Sequence, residues 1–401
     1  MKVQIKKSKA SGVVDAPPSK SIAHRALICG AFSDGSVIKN IAYSKDIDAT
    51  LCCLERMGAY VERYDDYVKI GGLNPFAIPE NADLYCHESG STLRFFVPVC
   101  MLGEAINTLS GSERLFERPL TVYEEICKRD NIYFEKNSDS LKVGGSLKAG
   151  EYYVRGDISS QFITGLIFAL SKLDDDSKII VTEKFESASY VDLTLYVMGK
   201  FGVNIERKDN VFFVKGGQKY NSVEYVVEGD CSNAAFLDGF NLLGGNVCVN
   251  GIEDDTLQGD RVYLDMFKGL QNGQKSFDLS DCPDLAPVMF ALSAVFGGAE
   301  FTGTARLKIK ESDRAAVMAE ELSKFGVMVN IYDNSVIVEN CSLKAPIVEL
   351  YGHNDHRIVM ALSLLCSITG GIIDSAEAVT KSYPDYFDVI SSLGIDVSKV
   401  I

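Results

Sequence analysis

Cations, hydroxyls and a few carboxylates recur where apolar helical stretches begin, and these are the residues in this chain equipped for chemistry. The first group is Ser19-Lys20-Ser21 with Arg25, directly after Pro17-Pro18. The prolines hold the chain extended and forbid a helix before them. Ser19 is expected to cap the helix that follows, whose apolar run begins at Ala26. Unpaired backbone N–H groups and the positive end of the helix dipole make such a mouth attractive to anions. Ser21 and Arg25 are four residues apart and share a face; the plainer alternative is a capped helix with a solvated Lys and Arg.

The same arrangement returns along the chain. Gly90, Ser91 and Arg94 stand at a second mouth, Ser159, Ser160 and Gln161 at a third, and Asp230 with Asn233 at a fourth. Asp284 marks a fifth, and His356 with Arg357 a sixth. Further clusters are Glu117-Arg118-Pro119, Ser187-Ala188-Ser189-Tyr190, Lys308 to Arg314, and Lys381-Ser382-Tyr383-Pro384. If the helices run roughly parallel, their mouths converge. Such a set suits a ligand with phosphate and carboxylate groups. Three acids stand among the cations: Asp284, Glu311 and Asp313. A carboxylate beside Lys and Arg is a candidate for proton transfer. The alternatives are an N-cap for Asp284 and a capping box for Asp313. His356 and Arg357 read equally as a surface pair.

The elements that must carry these residues form a repeat. One segment is a polar cluster, an apolar helix rich in small residues, and glycine. It recurs at Ala26–Phe32, Leu93–Leu102, Phe162–Leu170, Ala234–Leu243, Leu285–Phe296 and Ile358–Ile368. Starts are roughly 70 residues apart, with the fourth-to-fifth step shorter by roughly 20. A second segment, an amphipathic helix and then a hairpin, follows at Asp48–Met57, Thr121–Asp130, Asp192–Phe201 and Arg314–Phe325. Glycine closes most of these helices, and Asp-Asp or Asp-Asn marks several hairpin tips. The last copy, Tyr386–Ile401, stops after its first strand. The apolar helices lack a polar face and so should be enclosed by sheet. Six units predict an α/β chain of two similar domains of three units each. The split is expected near Glu228, giving 19–228 as one domain and 1–18 plus 229–401 as the other. Two crossings, near Pro18 and Glu228, suggest a hinge and a central cleft.

Composition narrows the function classes. The chain has 401 residues, 46% apolar and 24% charged, with a net charge of −15. That balance is globular, long enough for two cores, and argues against a nucleic-acid surface. No tract of about 20 uncharged apolar residues would span a membrane. Met1 to Lys7 has no apolar segment of a signal peptide. Eleven cysteines without C-x-x-C, including Cys29, Cys52, Cys53, Cys100 and Cys366, read as reduced, buried thiols of a cytoplasmic protein. Cys231 and Cys282 lie at helix mouths with no adjacent base. The four histidines have no metal-ligand spacing, so no metal is expected.

Taken together and in order, the clusters resemble the enolpyruvyl transferase family, in its 5-enolpyruvylshikimate-3-phosphate synthase (3-phosphoshikimate 1-carboxyvinyltransferase) branch. The matching segments are Ser19-Lys20-Ser21-x-x-x-Arg25, Ser89-Gly90-Ser91-Thr92-x-Arg94, Glu117-Arg118-Pro119, Ser159-Ser160-Gln161, Pro283-Asp284, Lys310-Glu311-Ser312-Asp313-Arg314, Asp355-His356-Arg357 and Lys381-Ser382-Tyr383-Pro384-Asp385. The resemblance implies two domains of three βαβαββ units with buried helices, an inside-out α/β barrel closing over the substrates. It implies transfer of the enolpyruvyl group of phosphoenolpyruvate to the 5-hydroxyl of shikimate 3-phosphate by addition and elimination, without metal or organic cofactor. Lys20, Gly90, Arg118, Gln161, Arg314, Arg357 and Lys381 are then expected at phosphoenolpyruvate. Lys20, Ser21, Arg25, Ser159, Ser160, Gln161, Ser187, Tyr190, Asp284 and Lys310 are expected at shikimate 3-phosphate. Asp284, Glu311 and Lys20 are the implied catalytic groups, with the two proton transfers left open among them. The domain 19–228 would be mainly the shikimate 3-phosphate side and the other mainly the phosphoenolpyruvate side. The expected partners are these small molecules alone, with no nucleic acid and no membrane, and the chain is expected to be a monomer. Two departures stand out: Glu88 where the family commonly has Asn, and Arg306 where an Asn often contacts the acceptor. The sister enzymes acting on UDP-N-acetylglucosamine share fold and donor, but the paired serines, Gln161 and Lys310 favour a phosphorylated acceptor.

Overall fold

The computed structural model describes residues 1–400. The chain divides into two compact units, Pro18–Glu228 and Met1–Pro17 with Gly229–Ile401. Each has its own apolar core.

In the unit Pro18–Glu228, three four-stranded sheets share one order. In one, Asp83–Tyr85 runs parallel to Asn107–Ser110, which pairs antiparallel with Ser140–Gly144, and that with Tyr133–Lys136. Glu151–Arg155, Ser177–Thr182, Val211–Val214 and Glu206–Lys208 repeat the pattern. In the third sheet the first strand is Glu224–Val226, from the far end of the unit, beside Ser36–Lys39, Tyr67–Gly71 and Tyr60–Arg63. The sheets are small and open. The helices Lys20–Phe32, Gly90–Cys100 and Ser160–Leu170 supply the core: from Ile22 to Phe32 every residue is buried. An apolar helix has no face that gains from water, so sheet and amphipathic helices cover it.

The unit Met1–Pro17 with Gly229–Ile401 repeats this with two substitutions of chain. Ser276–Asp278, Ala299–Thr302, Ser335–Val338 and Val329–Ile331 form one regular sheet. In the next, Leu350–Tyr351 and Gly371–Asp374 are joined by Lys2–Ile5, which lies between Gly371–Asp374 and Val397–Val400. The last copy of the repeat stops after its first hairpin strand, and the N-terminal strand fills the missing place. The third sheet has only two strands, Ser11–Asp15 parallel to Asn246–Asn250. Its amphipathic helix, Tyr263–Gln271, leads straight to Ser276–Asp278 without a hairpin. That missing hairpin is the physical reason for the short fourth-to-fifth step.

Two local readings need correction. The first helix starts at Lys20, and although Ser19 stands at its N-cap, its hydroxyl makes no capping bond and is buried without a partner. Cys52 and Cys248 are exposed rather than buried. Cys52 lies on the amphipathic helix Lys45–Arg56, where Cys53 takes the core face and leaves its neighbour to solvent.

Candidate functional site

Each unit gathers its helix mouths into a cluster of charge. In the unit Pro18–Glu228, Lys20 opens its helix and donates from Nζ to Asp46 Oδ2 at 2.7 Å. Asp46 sits in the first turn of the helix capped by Ser44, where a carboxylate suits the dipole. Sequence reasoning missed Asp46; the only signal was an acid in a capped first turn, which is a common structural feature.

Arg25 turns inward. Its Nε donates to Thr194 Oγ1 at 2.8 Å, its Nη1 to the Ser21 carbonyl at 2.6 Å, and its Nη2 to the Tyr190 carbonyl at 2.9 Å. Burial draws its pKa down to about 10. It therefore braces the helices Lys20–Phe32 and Ala188–Lys200, and brings Ser21 and Tyr190 together. Ser187 is buried in the left-handed conformation at the mouth of the second helix, with φ of 56°.

A second bracket joins the helices Gly90–Cys100 and Ser160–Leu170. They approach closely because Gly165 has no side chain to strike the Arg94 carbonyl and the Tyr123 hydroxyl. That closeness lets Arg94 Nη1 donate to Gln161 Oε1 at 2.8 Å, while Gln161 Nε2 donates to Ser91 Oγ at 3.0 Å. Ser159 caps the helix by accepting from the Gln161 N–H, and Ser160 is buried beside it. Arg94 Nη2 donates to the Pro119 carbonyl at 3.1 Å, and Glu88 nearby in sequence is half-buried. Burial and then the neighbouring charge of Arg118 hold the Arg94 pKa well below the usual arginine range. Two guanidinium groups near one another in apolar surroundings favour an anion between or beside them. Gly90 makes room for this: a Cβ there would lie 2.6 Å from Arg118 Nη1 and 2.8 Å from Nη2.

Behind these cations runs a buried relay. His24 Nδ1 meets Thr50 Oγ1 at 2.7 Å, Thr50 meets Thr92 Oγ1 at 2.7 Å, and Thr92 donates to Ser89 Oγ at 2.7 Å. Burial, then Lys20 and Arg25, keep the His24 pKa well below its usual value. A neutral imidazole thus ties three helix mouths together without adding charge.

The other unit holds the acids. Asp284 lies in the 3-10 turn Pro283–Leu285 and is not an N-cap. Arg314 Nη1 donates to Asp284 Oδ1 at 2.6 Å, Lys310 Nζ stands at 3.3 Å, and Arg357 Nη2 lies 3.8 Å from Oδ2. Burial pushes this carboxyl up, but Lys310, Arg314 and Arg357 outweigh it and hold the pKa well below the carboxylate range. Arg314 also donates from Nε to Asp355 Oδ2 at 2.9 Å, and Ser312 Oγ to the same oxygen at 3.0 Å. Asp355 caps the last apolar helix by accepting from the Arg357 N–H. Asp313 caps its own helix through the Ala316 N–H, the plainer of its two readings. Glu311 precedes that helix. Its Oε2 is 3.1 Å from His356 Nδ1 and 4.0 Å from Lys381 Nζ. His356 and Arg357 are both buried, so the surface-pair alternative falls. Lys381 is buried and donates to the Asn354 carbonyl. Arg306 is buried as well and donates to the Ser280 carbonyl. Asp355 and His356 stand within the charged motif without an assigned role in the sequence, because only the fold shows what they touch.

Another buried acid, Glu321, accepts from His353 Nε2 at 2.9 Å, Lys324 Nζ at 2.7 Å and the Tyr351 N–H at 3.0 Å. Burial raises the carboxyl pKa of Asp355 and of Glu321, and their partners, led by Arg314 and His353, lower it further than burial raises it. A carboxylate with a lowered folded-state pKa stabilises fully above its unfolded value, about 4, and loses that stabilisation as pH falls through the folded value. The melting temperature is therefore expected to be insensitive to Asp284, Asp355 and Glu321 from pH 8 to 5, and to fall below about pH 4. A calorimetric pH series checks this: the buried neutral His24 adds a gentle decline that begins near its unfolded value of about 6.5, and the absence of a further, steeper fall below about pH 4 would contradict these ion pairs.

Chemically, the two clusters offer cations for phosphate and carboxylate, one carboxylate ringed by cations, and a glutamate paired with histidine. Comparisons with known proteins bear on that combination. The family model described as EPSP synthase (3-phosphoshikimate 1-carboxyvinyltransferase) matches residues 5–390. A 3-phosphoshikimate 1-carboxyvinyltransferase of Clostridium kluyveri is 41% identical, over 99% of this chain and 98% of its own. One from Clostridioides difficile is 38% identical, over 98% and 97%. Among solved structures, an EPSP synthase from Acinetobacter baumannii aligns with a TM-score of 0.79 at 21% identity, covering 99% of this chain and all of its own. The enolpyruvyl transferase NikO from Streptomyces tendae aligns with a TM-score of 0.78 at 13% identity, over 99% and 98%. At those identities the structures speak for the fold alone.

Proposed function

The chain belongs to the EPSP synthase (3-phosphoshikimate 1-carboxyvinyltransferase) family, and we propose from that premise how its residues divide the work. The enzyme transfers the enolpyruvyl group of phosphoenolpyruvate to shikimate 3-phosphate in aromatic amino acid biosynthesis. No helix among the described residues is long and apolar enough to cross a membrane.

The observation that carries the residue-level reading is the ring of Lys310, Arg314 and Arg357 around Asp284. Lys20, Arg118, Arg314, Arg357 and Lys381, with Gly90 and Gln161, hold the phosphate and carboxylate of phosphoenolpyruvate. Ser21, Arg25, Ser159, Ser160, Ser187, Tyr190 and Lys310 hold shikimate 3-phosphate, Arg25 largely by bracing Ser21 and Tyr190. As isolated from substrate, Asp284 is too strongly ionised to be an effective base. Donor anions at Arg314 and Arg357 offset the cationic charge and raise its proton affinity. Asp284 then takes the proton of the 5-hydroxyl as that oxygen attacks C2. Glu311, supported by His356, supplies a proton to C3. Glu311 then takes back the C3 proton from the tetrahedral intermediate, and inorganic phosphate leaves with the proton held by Asp284, restoring the double bond. The cations stabilise the charge that develops on the phosphate oxygens.

Phosphate release tests the substrate reading. Protein mixed with phosphoenolpyruvate and shikimate 3-phosphate is expected to liberate phosphate, and with UDP-N-acetylglucosamine as acceptor it is expected to liberate none. Silence with the first acceptor would sink the reading.

Two variants test the division of labour. Lys20→Met removes the charge paired with Asp46. It is expected to lower kcat by about a hundredfold or more while circular dichroism stays that of the parent. Activity near the parental level would remove Lys20 from the list. Gly90→Ala is expected to fold, because the group it strikes is the mobile end of Arg118. Displacing that guanidinium should raise the phosphoenolpyruvate KM by about tenfold, with the shikimate 3-phosphate KM little changed. An unchanged donor KM would show that Arg118 does not bind the donor.

A further inference from the structure

Asn233 stands three residues into the helix Cys231–Leu242, whose N-cap Asp230 accepts its backbone N–H at 2.8 Å. It is fully buried. Its Oδ1 accepts from Arg357 Nη1 at 3.3 Å. That bond fixes the amide, since the guanidinium can only donate. Nδ2 is therefore on the other branch, and it is buried without a hydrogen-bond partner. Arg357 Nε is in the same condition. One turn along, the Phe236 ring lies 5.8 Å from the guanidinium carbon. Asn233 and Phe236 thus share a helix face and grip one side chain, the first by an edge and the second from a face.

Buried donors without acceptors are costly and uncommon in folded proteins. Two of them on one hydrogen-bonded pair mark a place suited to an incoming acceptor. The chemistry of the holder is equally pointed. An amide oxygen orients the guanidinium and leaves its charge available, whereas a carboxylate in that position would neutralise it. The Arg357 guanidinium does pair with an acid, Asp284, but at the longer distance of 3.8 Å.

We propose that Asn233 is a positioning residue for the donor's anionic group: it sets the plane of Arg357 without spending its charge. This rests on the reading of Arg357 as a phosphoenolpyruvate ligand. It makes residue 233 a determinant of donor affinity, although it lies outside the charged motifs.

The test uses the full-length enzyme and the two substrates separately varied. Asn233→Asp keeps the shape and gives Arg357 an ionic partner. Under the proposal the phosphoenolpyruvate KM rises by about tenfold, while the shikimate 3-phosphate KM stays within about twofold. Asn233→Ala removes the holder without adding charge and should raise the donor KM by a smaller factor; it decides the matter if the aspartate variant does not fold. Arg357→Lys is run alongside. If it raises the donor KM and both Asn233 variants leave it unchanged, the proposal is overturned and the reading of Arg357 survives. If Arg357→Lys has no effect, that reading fails and the proposal with it. Equal increases in both KM values with a lowered melting temperature would assign Asn233 a structural role and also overturn the proposal.

Discussion

Asp284→Asn is expected to lower kcat by about a thousandfold and to leave the phosphoenolpyruvate KM unchanged or lower. The substitution keeps the shape of the side chain and removes its capacity to take a proton. Three cations surround the carboxylate, so its loss does not uncover an acid; it frees positive charge. A donor carrying phosphate and carboxylate should then bind at least as well as before. The separation of kcat from KM is the informative part. A binding residue would raise KM, and a merely structural one would lower stability without this split. Steady-state kinetics with each substrate varied would decide, and a kcat within tenfold of the parent would remove Asp284 as the base.

The largest expected effect on stability comes from Arg314→Met. Arg314 is buried and links Asp284 with Asp355, itself fully buried. Asp355 in turn caps the helix that carries His356 and Arg357. Removing one member of a buried ionic group leaves the others desolvated and uncompensated, which typically costs about 3–5 kcal/mol. Methionine fills much of the volume, so the loss reads charge rather than a cavity. Urea unfolding should show a transition displaced by that amount, and activity should disappear because the Asp284 cluster loses its closest cation. Adding Asp355→Asn to Arg314→Met should recover part of the stability, since the stranded charge is gone. A single variant within about 1 kcal/mol of the parent would mean that Arg314 is not the hub described here.

These two residues also show where sequence was sufficient. Asp284 and Arg314 were recognisable from Pro283-Asp284 and the Lys310 to Arg314 segment. Their mutual distance was not, because 30 residues separate them in the chain. The same holds for Lys20 with Asp46, and for Arg25 with Thr194, which lie 26 and 169 residues apart. Asp46 and Thr194 carry no motif. They matter only because a buried helix mouth has been folded against them.

The repeat was legible for a related reason. Apolar helices, glycine stops and Asp-Asn hairpin tips are local features, and local features survive in a linear reading. Six copies, the shortened fourth step and the truncated last copy could all be counted along the chain. Their remedy could not. That Lys2–Ile5 completes the sheet of the last copy, and that Ser11–Asp15 pairs with Asn246–Asn250, are long-range choices of register made by backbone hydrogen bonds.

Sequence alone therefore determined the repeat, the helices that must be buried, and the family to which the chain belongs. Only the tertiary structure decided which charges neutralise one another and which remain available. Asp313 became a cap, Arg25 a brace, Asp284 the centre of a cationic ring, and Asn233 the holder of Arg357. Helix formation follows nearest neighbours in sequence, whereas electrostatic interaction depends on distance and burial, and neither is defined until the helices pack.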